Sequence, residues 1–238
     1  NQEAKRVNAA PLFVVVPLGM AFLCLILSRL WKGMPDLCGN LTLGFLAVMS
    51  VRFLSFAGAT GRYDAGGWAP VGGMPVGISM VVDGLTVLML LVVNITGFIA
   101  GLYSIPYLSR YTNRDRYYTL FLLLMAGLNG VVVSGDLFNL FVFLEITAIA
   151  AYALVAFGVE AEELDASFKY QVLGGIASLF ILLAIAMLYY ATGTLNLADI
   201  SRSLGRQGNK IPLIFISGFF LAGFGLKAAL MPFHAWLP

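Results

Sequence analysis

Two side chains able to exchange protons stand alone in long apolar stretches. Glu145 is the only charged residue in LFNLFVFLEITAIAAYALVAF, Leu137 to Phe157. It is the ninth of 21 residues. At ~1.5 Å per residue such a helix is ~31 Å long, enough to cross a hydrocarbon core of ~30 Å. A charge at that depth costs several kcal/mol, from ~3 to above 10. The carboxyl group must therefore be neutral, paired or facing a wet cavity, and each of these conditions suits proton or ion handling. Lys227 is the only charge in IPLIFISGFFLAGFGLKAALMPFHAWLP. It follows the apolar run Leu213 to Leu226, too far along to snorkel back to its start. Pro232, five residues later, removes the hydrogen bond to the Ala228 carbonyl, so a helix break is expected beside Lys227. Broken helices at membrane depth occur where they line cavities or ion sites.

A buried acid and a buried base compensate each other if their helices meet. Opposite charges ~4 Å apart at an effective dielectric of ~20 attract by roughly 4 kcal/mol. That is comparable to the cost of burying one of them, so such a pair can switch between closed and separated states. The competing reading is a static pair that only locks two helices together. His234 is the one histidine. A lone imidazole near a helix end commonly serves as a structural hydrogen-bonding group, and it also suits a proton relay two turns beyond Lys227. Lys169 reads as an interfacial anchor, or as a continuation of a proton path if its helix begins deeper in the membrane. Asp83 and Asp136 precede apolar runs and read as helix caps.

The elements that must position these groups are membrane helices. Hydrophobic residues make up 60% of the 238, against ~45–50% for soluble domains, and charged residues 11%, against ~25%. This predicts an all-α polytopic membrane protein with one transmembrane domain over residues 1–238. Seven spans are expected, at about 10–30, 37–57, 80–105, 119–134, 137–157, 170–192 and 211–231. Residues 58–79 are rich in Gly and Pro and read as a loop or short hairpin. Residues 107–118 and 193–210 read as polar links. Gly97 and Gly101 have the GxxxG spacing that lets helices approach closely. The acidic cluster Glu160, Glu162, Glu163 and Asp165 suits the N-terminal end of a helix.

Lys and Arg divide almost evenly between alternate loops, which leaves the orientation open. They form no basic stripe, so nucleic acid is not an expected partner. Cys24 and Cys38 read as free thiols, and no metal-ligand spacing is evident. With no nucleophile–base constellation and no phosphate loop, no catalytic site and no cofactor is expected in this chain. Seven spans with a Lys in the last also fit a retinal protein, but Pro232 beside Lys227 argues against it. The chain lacks an initiator Met and stops within an aromatic, proline-rich stretch, which suggests a fragment, a processed chain or one part of a split protein.

Five stretches carry a family resemblance: VVDGLT (Val81 to Thr86), DLFNLFVFLEITAIAAYALVAFG (Asp136 to Gly158), SFKYQVLGGIASLF (Ser167 to Phe180), YYATGTLNLADIS (Tyr189 to Ser201) and GFGLKAALMPFHAWLP (Gly223 to Pro238). They resemble the proton-antiporter-type membrane subunits of respiratory complex I, of Mrp-type cation/proton antiporters and of membrane-bound hydrogenases. The GGWAP and GTLN segments look most like the D-type member of the Mrp antiporters. The resemblance implies an inverted-repeat transporter fold, with 1–105 as three N-terminal helices and 117–238 as a truncated first antiporter repeat. It implies that Glu145 and Lys227 form the regulatory ion pair of the first half-channel. Family members are about twice as long, with a second repeat that supplies the exit half-channel.

The function expected is translocation of protons, with Na⁺/H⁺ exchange an open variant, in a multi-subunit complex of an inner or equivalent energy-transducing membrane. Glu145, Lys227, His234 and Lys169 would carry the protons. Partners would be other membrane subunits, one of them supplying the second repeat, and the lipid bilayer. Any redox chemistry, of the NADH-quinone oxidoreductase or hydrogenase type, would belong to those partners. The alternative is a non-conducting assembly subunit.

Overall fold

The computed structural model describes residues 7–29, 33–56, 58, 60–67, 77–108, 113–207 and 212–234. Lys5, Arg6, Lys32, Arg110 and Lys210, which are among the loop cations weighed for orientation, the loop centre at 68–76 and the closing residues 235–238 lie outside them. The chain divides into two compact units: residues 1–63 with 80–134, and 64–79 with 135–238.

The first unit contains α1 (Leu12–Leu27), α2 (Met34–Phe53), α3 (Gly84–Tyr107) and α4 (Arg114–Val133). Helix α1 packs on α4 and α2, and α3 packs on α2 and α4. Phe13, Cys24, Leu43, Leu46, Leu90, Leu122 and Met125 fill the core. A Cβ on Gly97 would fall against the Met125 side chain, and one on Gly101 against Leu43 and Asn40. Both glycines of the GxxxG pair are thus close-approach positions. Asn94 and Asn129, fully buried, exchange two amide hydrogen bonds of 2.8 and 3.0 Å between α3 and α4. Asp83 caps α3 by accepting the Thr86 N–H at 2.8 Å. That amide hydrogen bond holds its carboxyl below the usual range. The Gly/Pro-rich connection contributes β1 (Gly61–Asp64) and β2 (Ser79–Val82), paired as a two-stranded sheet.

The second unit contains α5 (Leu137–Val155), α6 (Ala161–Thr192), α7 (Leu197–Gln207) and α8 (Leu213–Lys227). Helix α6 is its axis: α5 and α8 both pack on it, and α7 touches it. Leu137, Ile181, Ala184, Ile185, Leu188, Ile200 and Ile216 form the core. Asp136 caps α5, accepting the Asn139 N–H at 2.9 Å.

Helices α2 to α6 are long and apolar enough to cross a membrane, and α1 and α8 are shorter apolar helices of 16 and 15 residues. Large apolar side chains such as Ile149, Leu179, Ile214 and Leu221 face outward from the second unit. That surface suits lipid and not water. The protein is a multi-pass helical membrane protein.

Three expectations needed correction. Helix α4 begins at Arg114, where a polar link was expected, because Arg114 meets Asp36 of α2 at 2.8 Å. Helix α6 begins at Ala161, at the acidic cluster expected to enter a helix, and so starts before the span edge drawn near Tyr170, because Glu160 and Glu163 close a capping box around its first turn. The polar link 193–210 contains the amphipathic helix α7, which sets Ile200 and Leu204 against the core.

Candidate functional site: an ion pair inside three apolar helices

Glu145 lies near the middle of α5, and Lys227 is the last residue of α8. Lys227 Nζ stands 3.5 Å from Glu145 Oε1. Their side chains are 17% and 34% exposed, so the pair is shielded but not sealed. A third group shares the same oxygen: Ser178 of α6 donates its hydroxyl to Glu145 Oε1 at 2.5 Å. The site therefore draws one residue from each of three packed helices.

Small residues make this meeting possible. A Cβ on Gly223 would stand 2.5 Å from Ile181 Cγ1 and 2.9 Å from the Ala177 carbonyl. Glycine there lets α8 close on α6, and Lys227 follows one turn later. Gly223 is thus a contact residue. One turn before Ser178 on the same face of α6, Gly174 leaves room for the Tyr152 hydroxyl. Tyr152 lies two turns past Glu145 on α5 and packs edge-on against Tyr170, with ring centroids 4.6 Å apart.

Helix α8 ends in a Schellman closure. Leu230 N–H reaches back to the Gly225 carbonyl at 2.9 Å, and Ala229 N–H to that of Leu226 at 3.2 Å. Ala229 holds the left-handed conformation this closure requires, with φ of 51°. Pro232 follows in the turn beyond. Lys227 thereby occupies the last helical turn, where the negative end of the helix dipole favours a cation. The ammonium has two sources of support, the Glu145 carboxylate and the end of its own helix.

The other two residues expected at the site lie apart from this cluster. Lys169 pairs with Asp165 at 2.5 Å, one turn earlier on α6, and both side chains are about 60% exposed. It precedes Ser178 by nine residues, two and a half turns, and so projects from the opposite face of α6. His234 is exposed in the turn after α8. Ser178 is not distinguished by the sequence, because a serine within a helical span carries no mark of its partner. No group of three or more metal-ligating side chains occurs among the described residues.

Comparison with known proteins places this architecture. The sequence profile described as "NADH:quinone oxidoreductase/Mrp antiporter, TM" matches residues 134–238, which include the whole cluster. The profile for the N-terminus of complex I chain 5 matches residues 68–118. The N-type subunit of NADH-quinone oxidoreductase from Desulforudis audaxviator is 39% identical over 234 residues, 95% of this chain and 45% of that protein. The D-type subunit of the Na⁺/H⁺ antiporter from Alkalihalophilus pseudofirmus is 35% identical over 164 residues, 69% of this chain and 33% of that protein. Among solved structures, the archaeal membrane-bound sulfane sulfur reductase aligns with a TM-score of 0.85 and 34% identity, covering 95% of this chain and 46% of its own. The Mrp complex of Dietzia sp. DQ12-45-1b aligns with a TM-score of 0.83 and 28% identity, covering 96% and 42%. The chain thus spans less than half the length of each of these relatives. With both profiles in chain order and the fold matched over nearly its whole length, the chain belongs to the family of antiporter-type membrane subunits shared by NADH-quinone oxidoreductases and Mrp cation/proton antiporters.

Proposed function

We propose that this chain is the first half of a proton-translocating subunit, in which the Glu145–Lys227 pair opens and closes as protons pass. The observation that carries the reading is the 3.5 Å approach of two groups that are each the only charge in an apolar helix. At that distance and an effective dielectric of ~20 the attraction is roughly 5 kcal/mol. This is strong enough to hold the pair closed at rest. It is also weak enough for an arriving proton or hydrated ion to open it, since neutralising Glu145 removes the attraction. Lys227 then keeps the support of the α8 terminus, so the opened state is not prohibitive.

His234 would pass protons onward from Lys227 through the turn beyond α8. Lys169, directed away from the pair, would join a path only through a surface supplied by a second repeat or a neighbouring subunit. The family relationship supports that assembly: relatives are named as subunits, and similar solved chains come from membrane complexes. The proposed setting is an energy-transducing inner membrane, with H⁺ as the ion moved and Na⁺ exchange as a variant.

The test is transport by the assembled complex in proteoliposomes, read with a pH-sensitive dye. Glu145→Gln and Lys227→Met should each abolish proton movement while the complex still assembles. If the double variant both assembles and pumps, the pair is a structural lock and the translocation role fails.

A further inference from the structure

Ser178 Oγ carries one hydrogen and has two acceptors within reach: Glu145 Oε1 at 2.5 Å and the Gly174 carbonyl, one turn back on α6, at 3.0 Å. We propose that Ser178 is the positioning residue that keeps Glu145 satisfied in both of its protonation states, and so allows Lys227 to leave. This rests on the proposed switching of the pair.

A hydroxyl can do what an ammonium cannot. It donates to a carboxylate and accepts from a carboxylic acid. With Glu145 ionised, the Ser178 hydrogen points to Oε1, and the helix carbonyl of Gly174 loses nothing essential. When Glu145 gains a proton, that proton sits on the carboxyl and is donated to Ser178 Oγ. The Ser178 hydrogen then turns to the Gly174 carbonyl. The Glu145–Ser178 hydrogen bond survives in both states with its direction reversed, and no backbone has to move. Lys227 offers donors alone, so it cannot accept the proton of a neutral carboxyl group in this way. Without Ser178, opening the pair would strand a polar group inside apolar helices, the costly case. Ser178 is itself buried, with Ala177 and Ile181 beside it against α8, so water does not readily replace it.

Among the described residues, the titratable groups around Glu145 are Lys227 from α8, Tyr152 from its own helix, and Tyr170 of α6 edge-on to Tyr152. Tyr152 is the one that could imitate Ser178, and its hydroxyl lies at Gly174, one turn away on α6 from Ser178.

The test uses the whole complex and two readouts. One is the pH profile of proton transport. The other is the infrared carboxyl band of Glu145, identified by its loss in Glu145→Gln and titrated with pH. The hydrogen bond to the ionised form is charge-assisted and the stronger of the two, so removing the hydroxyl penalises the ionised form more. In Ser178→Ala the infrared midpoint should therefore move to higher pH by about one unit, a tenfold change in proton affinity, with the transport profile following it. Ser178→Thr, which keeps the hydroxyl, should restore the native midpoint. Ser178→Cys keeps the size but has only a weak donor, and should behave like Ala. It carries the test if the Ala variant fails to assemble. A native midpoint in the Ala or Cys variant overturns the proposal. If Glu145→Gln still transports, the translocation reading fails, while the infrared titration still decides whether Ser178 sets the state of Glu145.

Discussion

The coupling between Glu145 and Lys227 can be measured directly by a double-mutant cycle. The gross attraction at 3.5 Å is roughly 5 kcal/mol at an effective dielectric of 20. Two features reduce what an experiment will find. Glu145 is a third exposed, so part of its charge is screened, and its Oε1 is shared with Ser178, which remains when Lys227 is removed. Fully buried pairs cost about 3–5 kcal/mol to break, and exposed pairs about 0.2–1. This site falls between them, so the expected coupling is about 2 kcal/mol. Glu145→Gln, Lys227→Met and the double variant would be compared by unfolding the purified complex in mixed detergent micelles. Each single change should destabilise the complex, and the second should recover about 2 kcal/mol of the sum of the two losses. A coupling within about 0.5 kcal/mol of zero would mean that the two groups do not sense each other, and the reasoning from the ion pair would fail.

Two further changes probe how the site is held. Gly223→Ala places a methyl group 2.9 Å from the Ala177 carbonyl, where backbone must give way. Overpacking of this kind costs about 1–3 kcal/mol, and it should lower transport sharply by pushing Lys227 from Glu145. Native transport in that variant would show that α8 need not touch α6. Asp136 caps α5 outside the span, and burial pushes its carboxyl above the ordinary 3.8, with the Asn139 and Phe138 amides pulling it part of the way back. The folded protein thus keeps this proton longer than the unfolded chain, so stability falls as pH rises from 3.8 through the raised folded value. Asp136→Asn keeps a capping oxygen and should remove that decline, as read from thermal unfolding across the carboxylate range. A decline unchanged in the variant would assign it to other acids.

The limits of the sequence are physical. Glu145 and Lys227 could be found because a charge in an apolar span is costly on its own, whatever it contacts. The apolar helices could be found for the same reason: their composition is a property of each segment alone. Ser178, Gly174 and Gly223 could not, since a hydroxyl or a missing Cβ has meaning only through a neighbour on another helix. Ser178 meets Glu145 across 33 positions of chain. The amphipathic helix α7 was hidden by its polar composition, although Leu197, Ile200 and Leu204 carry its period. The end of α8 is the most instructive case. Proline gave a sufficient reason for a break near Lys227, yet the hydrogen bonds that close the helix are those of Ala229 and Leu230, before Pro232 is reached. A left-handed Ala costs about 1–2 kcal/mol that Gly would not. Such a conformation persists only where the surroundings enforce it. Here it fixes Lys227 in the last helical turn, facing Glu145, with the carbonyl end of α8 at its back. The proline then acts as a barrier to further helix, while the strained residue sets where the lysine stands. The ion pair is therefore a property of three helix positions and one helix end together, and the charges legible in the sequence are only its visible part.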